Sequence, residues 1–264
     1  MLSSRQPRPS YRVRVLPSRK SCLPVSNGDH EAGSPIFPVR IPERSDPLTI
    51  QLYGFWRSNA AFRVRVALAL KKLPFEEIEV DILSGRQFDA GYAEVNAEHV
   101  VPTFVHDGHR IFQSMAIMEY LDDIQPEPRL VPAEARERAY ARSLALVSVA
   151  DAHPLVVPRV RNHLGKALGA DLAAIESWCR HWAAEGLAAY ERLLTRRPPA
   201  PFALGAAPTI ADICIAGQIV TANLYKLDLT AFPSVAELGR RCFELPAFAD
   251  AHPFRQPGYR ADVA

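Results

Sequence analysis

Leu48-Thr-Ile-Gln-Leu-Tyr-Gly-Phe-Trp-Arg-Ser-Asn-Ala-Ala-Phe-Arg-Val-Arg-Val-Ala-Leu68 passes from a strand period to a helix period within a single short stretch. Leu48 to Tyr53 alternates apolar and polar residues, as a half-buried strand does. From Asn59 to Lys72 the apolar residues Phe62, Val66 and Leu70 recur at helical spacing. Lys71-Lys72 suits the negative end of a helix dipole, and Pro74 stops the helix. A strand feeding a helix through a short turn is the first half of a β-α-β unit.

Working outward, Phe75 to Val80 reads as a second strand and Gln87 to Val95 as a short helix. Thr103 to Val105 and Arg110 to Phe112 read as strands joined at Asp107-Gly108, a strong hairpin signal. Ser114 to Ile124 is a third helix. The order βαβαββα predicts a small mixed sheet with helices on both faces. Gln125-Pro126-Glu127-Pro128 is a stiff linker. Beyond it the strand signals vanish. Helical patterns run over Ala133–Leu168, Asp171–Arg196, Thr209–Asn223 and Ser234–Leu245, with Pro154 and Pro158 expected to bend the first. The organisation expected is an α/β domain over 47–125 and an all-helical domain over 133–257.

The 264 residues suffice for two small domains with real cores. Residues 1–46 hold eight of the 31 basic and four of the 29 acidic residues, leaving 23 against 25 in the body. The net charge of +2 therefore resides in the leader, and no nucleic-acid surface is implied. That leader is rich in Arg, Ser and Pro, like an organellar transit peptide. Pro7, Pro9, Pro17 and Pro24 would break the amphipathic helix such a peptide needs, so 1–46 reads as a disordered extension, outside the fold. Cys22, Cys179, Cys214 and Cys242 show no metal spacing; a reduced, cytoplasmic setting fits, with the last three in the core and no metal site. The apolar runs are too short to span a membrane.

Arg57 and Ser58 fall at the turn between first strand and first helix. Helix starts leave backbone N–H groups unpaired and favour negative charge. A serine hydroxyl there can support an anion such as a thiolate, or merely cap the helix. Val101-Pro102 precedes the third strand, where the proline cannot donate to the sheet; the bond is either cis, turning Val101 toward a cleft, or an ordinary trans edge proline. Gln113-Ser114 opens the third helix, where Ser114 can hold a carboxylate or act as an N-cap. The three features converge on neighbouring strand ends, as a peptide-binding cleft requires. Thr209-Ile-Ala-Asp212 reads as a capping box, and Trp178 and Trp182 as core or cleft wall.

The run Phe55 to Leu68 resembles the Ser-Ser-Cys motif region of zeta-class glutathione transferases, the class of maleylacetoacetate and maleylpyruvate isomerases. Val101-Pro102-Thr103, Gln113 to Leu121, Asp151-Ala-His-Pro154, Thr209 to Asp212, Leu227 to Thr230 and His252 to Pro257 match further, covering residues 48–257. The resemblance implies a thioredoxin-like N-terminal domain, a helical C-terminal domain, a homodimer and glutathione as cofactor. It implies that Ser58 supports the glutathione thiolate and that Val101 pairs with the cysteinyl backbone ahead of a cis Pro102. Gln113 and Ser114 then hold the γ-glutamyl carboxylate, and His153 and Arg161 reach the partner subunit's glutathione. Arg57 meets the carboxylate of a small acidic substrate. Asn59 stands for the motif's second serine, with an amide able to donate in its place, and Ala60 stands for its cysteine. An arginine of the class is replaced at about Leu224, with Lys226 nearby. The implied activity is glutathione-dependent cis–trans isomerisation of a maleyl compound in aromatic catabolism. The alternatives are a general transferase conjugating electrophiles such as haloacids, and a non-catalytic binding module.

Overall fold

The computed structural model describes residues 50–260, so the expectations for 1–46, Cys22, Leu48 and Thr49 fall outside the described residues. Strand β1 (Gln51–Gly54) is buried throughout. It is central: β2 (Glu76–Glu79) runs parallel on one side, β3 (Thr103–His106) antiparallel on the other, and β4 (His109–Phe112) completes the order β2-β1-β3-β4. The edges explain their own composition. β2 reads Glu-Glu-Ile-Glu, mostly exposed, and its charges discourage edge-to-edge pairing. The β3–β4 hairpin turns at Asp107 (φ 50°) and Gly108 (φ 75°), the left-handed pair that a tight hairpin needs.

Helices α1 (Asn59–Leu70) and α3 (Ser114–Ile124) pack on the sheet, with the short α2 (Ala90–Ala93) after a 3-10 turn at Arg86–Phe88. The expected helix over Gln87–Val95 is therefore two shorter turns. Lys71 does more than suit a helix end. Its ammonium is fully buried, 2.8 Å from Asp122 Oδ1, and donates to the carbonyls of Gln125 (2.6 Å) and Pro128 (2.9 Å). A buried charge pair needs its remaining hydrogen bonds satisfied, and here the linker carbonyls satisfy them.

The all-helical part comprises α4 (Ala135–Leu146), α5 (Pro158–Lys166), α6 (Leu172–Leu194), α7 (Ile210–Leu224), α8 (Pro233–Glu244) and α9 (Pro246–Ala251). α7 is buried from Ile210 to Ala222 and packs on both α4 and α1, so it is the shared core of the two parts. A helix apolar all round belongs in an interior. The Thr209–Asp212 capping box is formed, and Asp212 Oδ1 also accepts from Ala203 N at 2.7 Å. Cys179, Cys214 and Cys242 are buried free thiols. Trp178 Nε1 donates to Leu155 O at 2.8 Å, a packing role.

The helix expected over Ala133–Leu168 is not one helix. After α4 the chain widens into a π turn at Val147–Ala152, tightens to 3-10 at His153–Leu155, and restarts at Pro158. The cause is a side chain. The Tyr190 hydroxyl accepts from Ser148 N (3.1 Å) and donates to Leu144 O (2.9 Å), standing inside what would be an ordinary helical hydrogen bond. Pro154 and Pro158 then prevent recovery. Residues 135–166 run together are long and apolar enough to cross a membrane by composition, but the helix is interrupted at 147–157.

Candidate active site

Ser58 caps α1: its Oγ accepts from Ala61 N at 3.2 Å, with extended backbone angles. A hydroxyl that accepts through its oxygen still has a proton to donate. Ser58 lines a cavity of about 440 Å³ at the mouth of α1. Every anticipated site residue lines the same cavity: Arg57, Ser58, Asn59, Val101, Pro102, Gln113, Ser114, His153 and Arg161. One wall is built from the α1 start and the ends of β3 and β4; the other comes from the 153–161 junction and the end of α7.

The Val101–Pro102 bond is cis. Val100 O is held by Tyr92 Oη (2.6 Å) and Asn96 Nδ2 (3.0 Å), while among the described residues nothing pairs with the backbone N–H or C=O of Val101. That leaves an open edge of peptide, the kind that another extended peptide pairs with. Gln113 sits at φ 70°, ψ 112°, strained for a residue with a side chain, and its amide donates to Glu98 Oε2 at 3.0 Å. Ser114 follows as the first residue of α3, 3 % exposed.

One expectation needs correction. Asn59 has no amide hydrogen left for a ligand: Nδ2 donates to Gly217 O and to Thr221 Oγ1, each at 2.8 Å, tying the α1 start to α7. Gly217 has to be glycine for this, because a methyl group there would overlap Asn59 Oδ1. His153 and Arg161, which the resemblance assigns to a partner subunit's glutathione, line the same cavity as the other candidates. The π turn set by Tyr190 carries His153 to that position. Leu224 lines the cavity, so the wall is apolar at the position where the resemblance places the class's missing arginine; Lys226 is not among the residues lining it.

The cavity is electropositive. Among the described residues Arg57, Arg63, Arg159 and Arg161 line it, against the single carboxylate of Glu98. Desolvation, then the nearby Arg161, lowers the pKa of Arg57. His153 is pushed down to about 3 by desolvation and by Arg63 and Arg159, so its ring is neutral. Tyr225 is pushed up to about 12, chiefly by burial. Arg63 Nη1 and Arg161 Nε are buried without a hydrogen-bond partner among the described residues, and Gln87 Oε1 is likewise an unpaired buried acceptor. Arg63, Gln87 and Tyr225 also line the cavity, and sequence reasoning missed them. Nothing in the local pattern distinguishes Arg63 from Arg65, which also lies on α1 but pairs with Glu77 at 2.6 Å.

The family profile of the glutathione S-transferase N-terminal domain matches residues 48–123. A maleylpyruvate isomerase from Ralstonia is 36% identical over 209 residues, covering 79% of this chain and 99% of its own. The solved holo structure of a maleyl pyruvate isomerase, described as a bacterial glutathione S-transferase of the zeta class, superposes with a TM-score of 0.78. It is 36% identical and covers 80% of this chain and 100% of its own. A maleylacetoacetate isomerase from Methylobacterium extorquens AM1, solved with bound malonate and glutathione, gives a TM-score of 0.77 at 38% identity, with the same coverage. The α/β sheet layer and the helical layer are thus those of a glutathione transferase, and the chain belongs to the zeta-class family of maleylpyruvate and maleylacetoacetate isomerases.

Proposed function

We propose that this protein is a glutathione-dependent cis–trans isomerase of maleylpyruvate or maleylacetoacetate type. The observation that carries the reading is the cavity itself. Buried guanidinium donors at Arg63 and Arg161 lack a partner among the described residues, and they stand beside the unpaired peptide edge of Val101. A tripeptide with two carboxylates fits that donor set, and so does an acidic co-substrate. A relative's structure holding malonate together with glutathione supports the same assignment.

When bound, glutathione supplies a thiolate able to add reversibly to an activated double bond. The chain's own residues do the rest. The Ser58 O–H and the start of α1 stabilise negative charge on sulfur. A free thiol has a pKa near 8.5, and lowering it by about two units takes roughly 2.7 kcal/mol of preferential anion stabilisation. One charge-assisted hydrogen bond plus the helix terminus is of that size. Gln113 and Ser114 hold the γ-glutamyl carboxylate, and Val101 pairs with the cysteinyl backbone. Arg57 orients the substrate carboxylate and stabilises charge developing on its carbonyl oxygen. His153, being neutral, adds polar lining without a further charge. The buried thiols agree with a cytoplasmic enzyme, and the family resemblance with a homodimer.

Purified protein turning over maleylpyruvate or maleylacetoacetate only with glutathione present is the expected result; no turnover with either substrate would refute the reading. Leu224 favours a second reading, a transferase conjugating small electrophiles such as chlorinated acids, because a dicarboxylate finds one cation fewer on that wall. Leu224→Arg separates the two. It should raise kcat/KM for the dicarboxylate if isomerisation is the activity, and leave chloroacid conjugation unimproved.

A further inference from the structure

A guanidinium buried without a carboxylate partner is costly, and arginine cannot escape the cost by losing its proton. Arg63 is in that position. It is 2 % exposed, forms no ion pair among the described residues, and keeps Nη1 unpaired. The groups around it are Ser114, His153, Cys214 and Tyr190. Burial keeps the thiol and the phenol protonated, and His153 is neutral. Among the described residues nothing offsets the charge.

Its one side-chain hydrogen bond among the described residues explains its placement. Arg63 Nε donates to Ser114 Oγ at 3.0 Å. Arginine has no acceptor, so Ser114 must receive this bond through its oxygen, and its own hydrogen must go elsewhere. Among the described residues no acceptor takes it, and Ser114 lines the cavity at the first position of α3, where backbone N–H groups are also unpaired.

We propose that Arg63 is the positioning residue of the carboxylate anchor: it fixes the Ser114 hydroxyl as a donor into the cavity and supplies the positive charge that a ligand carboxylate neutralises. The assignment rests on the glutathione reading above, with the γ-glutamyl carboxylate as the anion. It gives the buried arginine a carboxylate partner in the liganded protein. It also places the anchor on two elements at once, α1 and α3, so that ligand binding ties the thiolate turn to the opposite end of the sheet.

The test is calorimetric binding of two ligands to the full chain: glutathione, and γ-aminobutyryl-cysteinylglycine, which lacks only that carboxylate. The wild type should bind the second at least about tenfold more weakly, the size of a charged hydrogen bond. Arg63→Gln should weaken glutathione by at least about tenfold and the analogue by less than about twofold, abolishing the discrimination. Arg63→Lys, which keeps charge but not the fork, should fall between. A purely structural role would weaken both ligands alike and would overturn the proposal. Should Arg63→Gln fail to fold, Ser114→Ala carries the test: it should also lose discrimination, and retained discrimination overturns the proposal. If the wild type binds glutathione without discriminating, the Arg63 assignment falls and the glutathione reading stands. If it binds neither ligand, the glutathione reading itself falls, and this one with it.

Discussion

Replacing Gly217 by alanine should destabilise the protein even though the substitution lies in the middle of a long helix. On propensity alone, Gly→Ala in a helix interior stabilises by about 1 kcal/mol. The packing opposes it. The new methyl group would overlap Asn59 Oδ1 and stand 3.3 Å from Asn59 Cγ, and Asn59 is 4 % exposed with both amide hydrogens engaged. Moving it forfeits two hydrogen bonds of 2.8 Å, to Gly217 O and Thr221 Oγ1, each worth about 1–1.5 kcal/mol net. The balance is a loss of about 1–2 kcal/mol, or several degrees in Tm for a protein of this size. Urea denaturation of Gly217→Ala, Asn59→Ala and the double variant closes a thermodynamic cycle. With Asn59 already truncated, Gly217→Ala should become neutral or stabilising by up to about 1 kcal/mol. If Gly217→Ala is as stable as the wild type in the native background, the account of Asn59 as a tie between α1 and α7 is wrong.

Tyr190→Phe removes the hydroxyl that bridges Leu144 O and Ser148 N, and should cost about 1–3 kcal/mol in chemical denaturation, with loss of activity as His153 shifts. An unchanged midpoint and unchanged kinetics would show that the π turn has another cause. His153 titrates below its unfolded value of about 6.5, so the unfolded chain binds the extra proton and stability falls as pH drops below that value. Between pH 7 and pH 5 this contributes a loss of up to about 2 kcal/mol, which His153→Gln should remove; parallel pH–stability curves for the two proteins would contradict it. Lys71→Met leaves the buried Asp122 carboxylate only the half-exposed Arg129 at 3.5 Å as a charge partner and should cost about 3 kcal/mol, whereas pairing it with Asp122→Leu should recover much of that; an effect under about 1 kcal/mol would refute the buried pair.

Local chemistry made the first part of the fold legible. Asp107-Gly108 names its own turn, and Ser114–Ile124 begins at a helix-starting serine and ends before a proline-rich linker. The misreading at Ala133–Leu168 has a physical origin. Apolar periodicity continues smoothly across the break, and the atom that opens the helix, Tyr190 Oη, comes from a residue 42 positions beyond Ser148. The site divides in the same way. Ser58, Val101 and Ser114 were readable because each sits at a strand end or helix start, where the backbone itself offers unpaired groups. Asn59 was misread because its partners lie 158 and 162 residues away on α7. Arg63 was passed over because an Arg-Val-Arg run looks like a solvated helix face, and only packing reveals that both arginines are buried.

The claim beneath all of this is that Ser58 and the start of α1 keep a bound thiol ionised at neutral pH. The direct measurement is the ultraviolet thiolate absorbance of enzyme-bound glutathione, titrated against pH for the wild type and for Ser58→Ala. The wild-type complex should titrate about two units below the free thiol, and the variant should move back toward 8.5 by at least about one unit. A wild-type complex titrating like free glutathione, or a variant indistinguishable from it, would contradict the account.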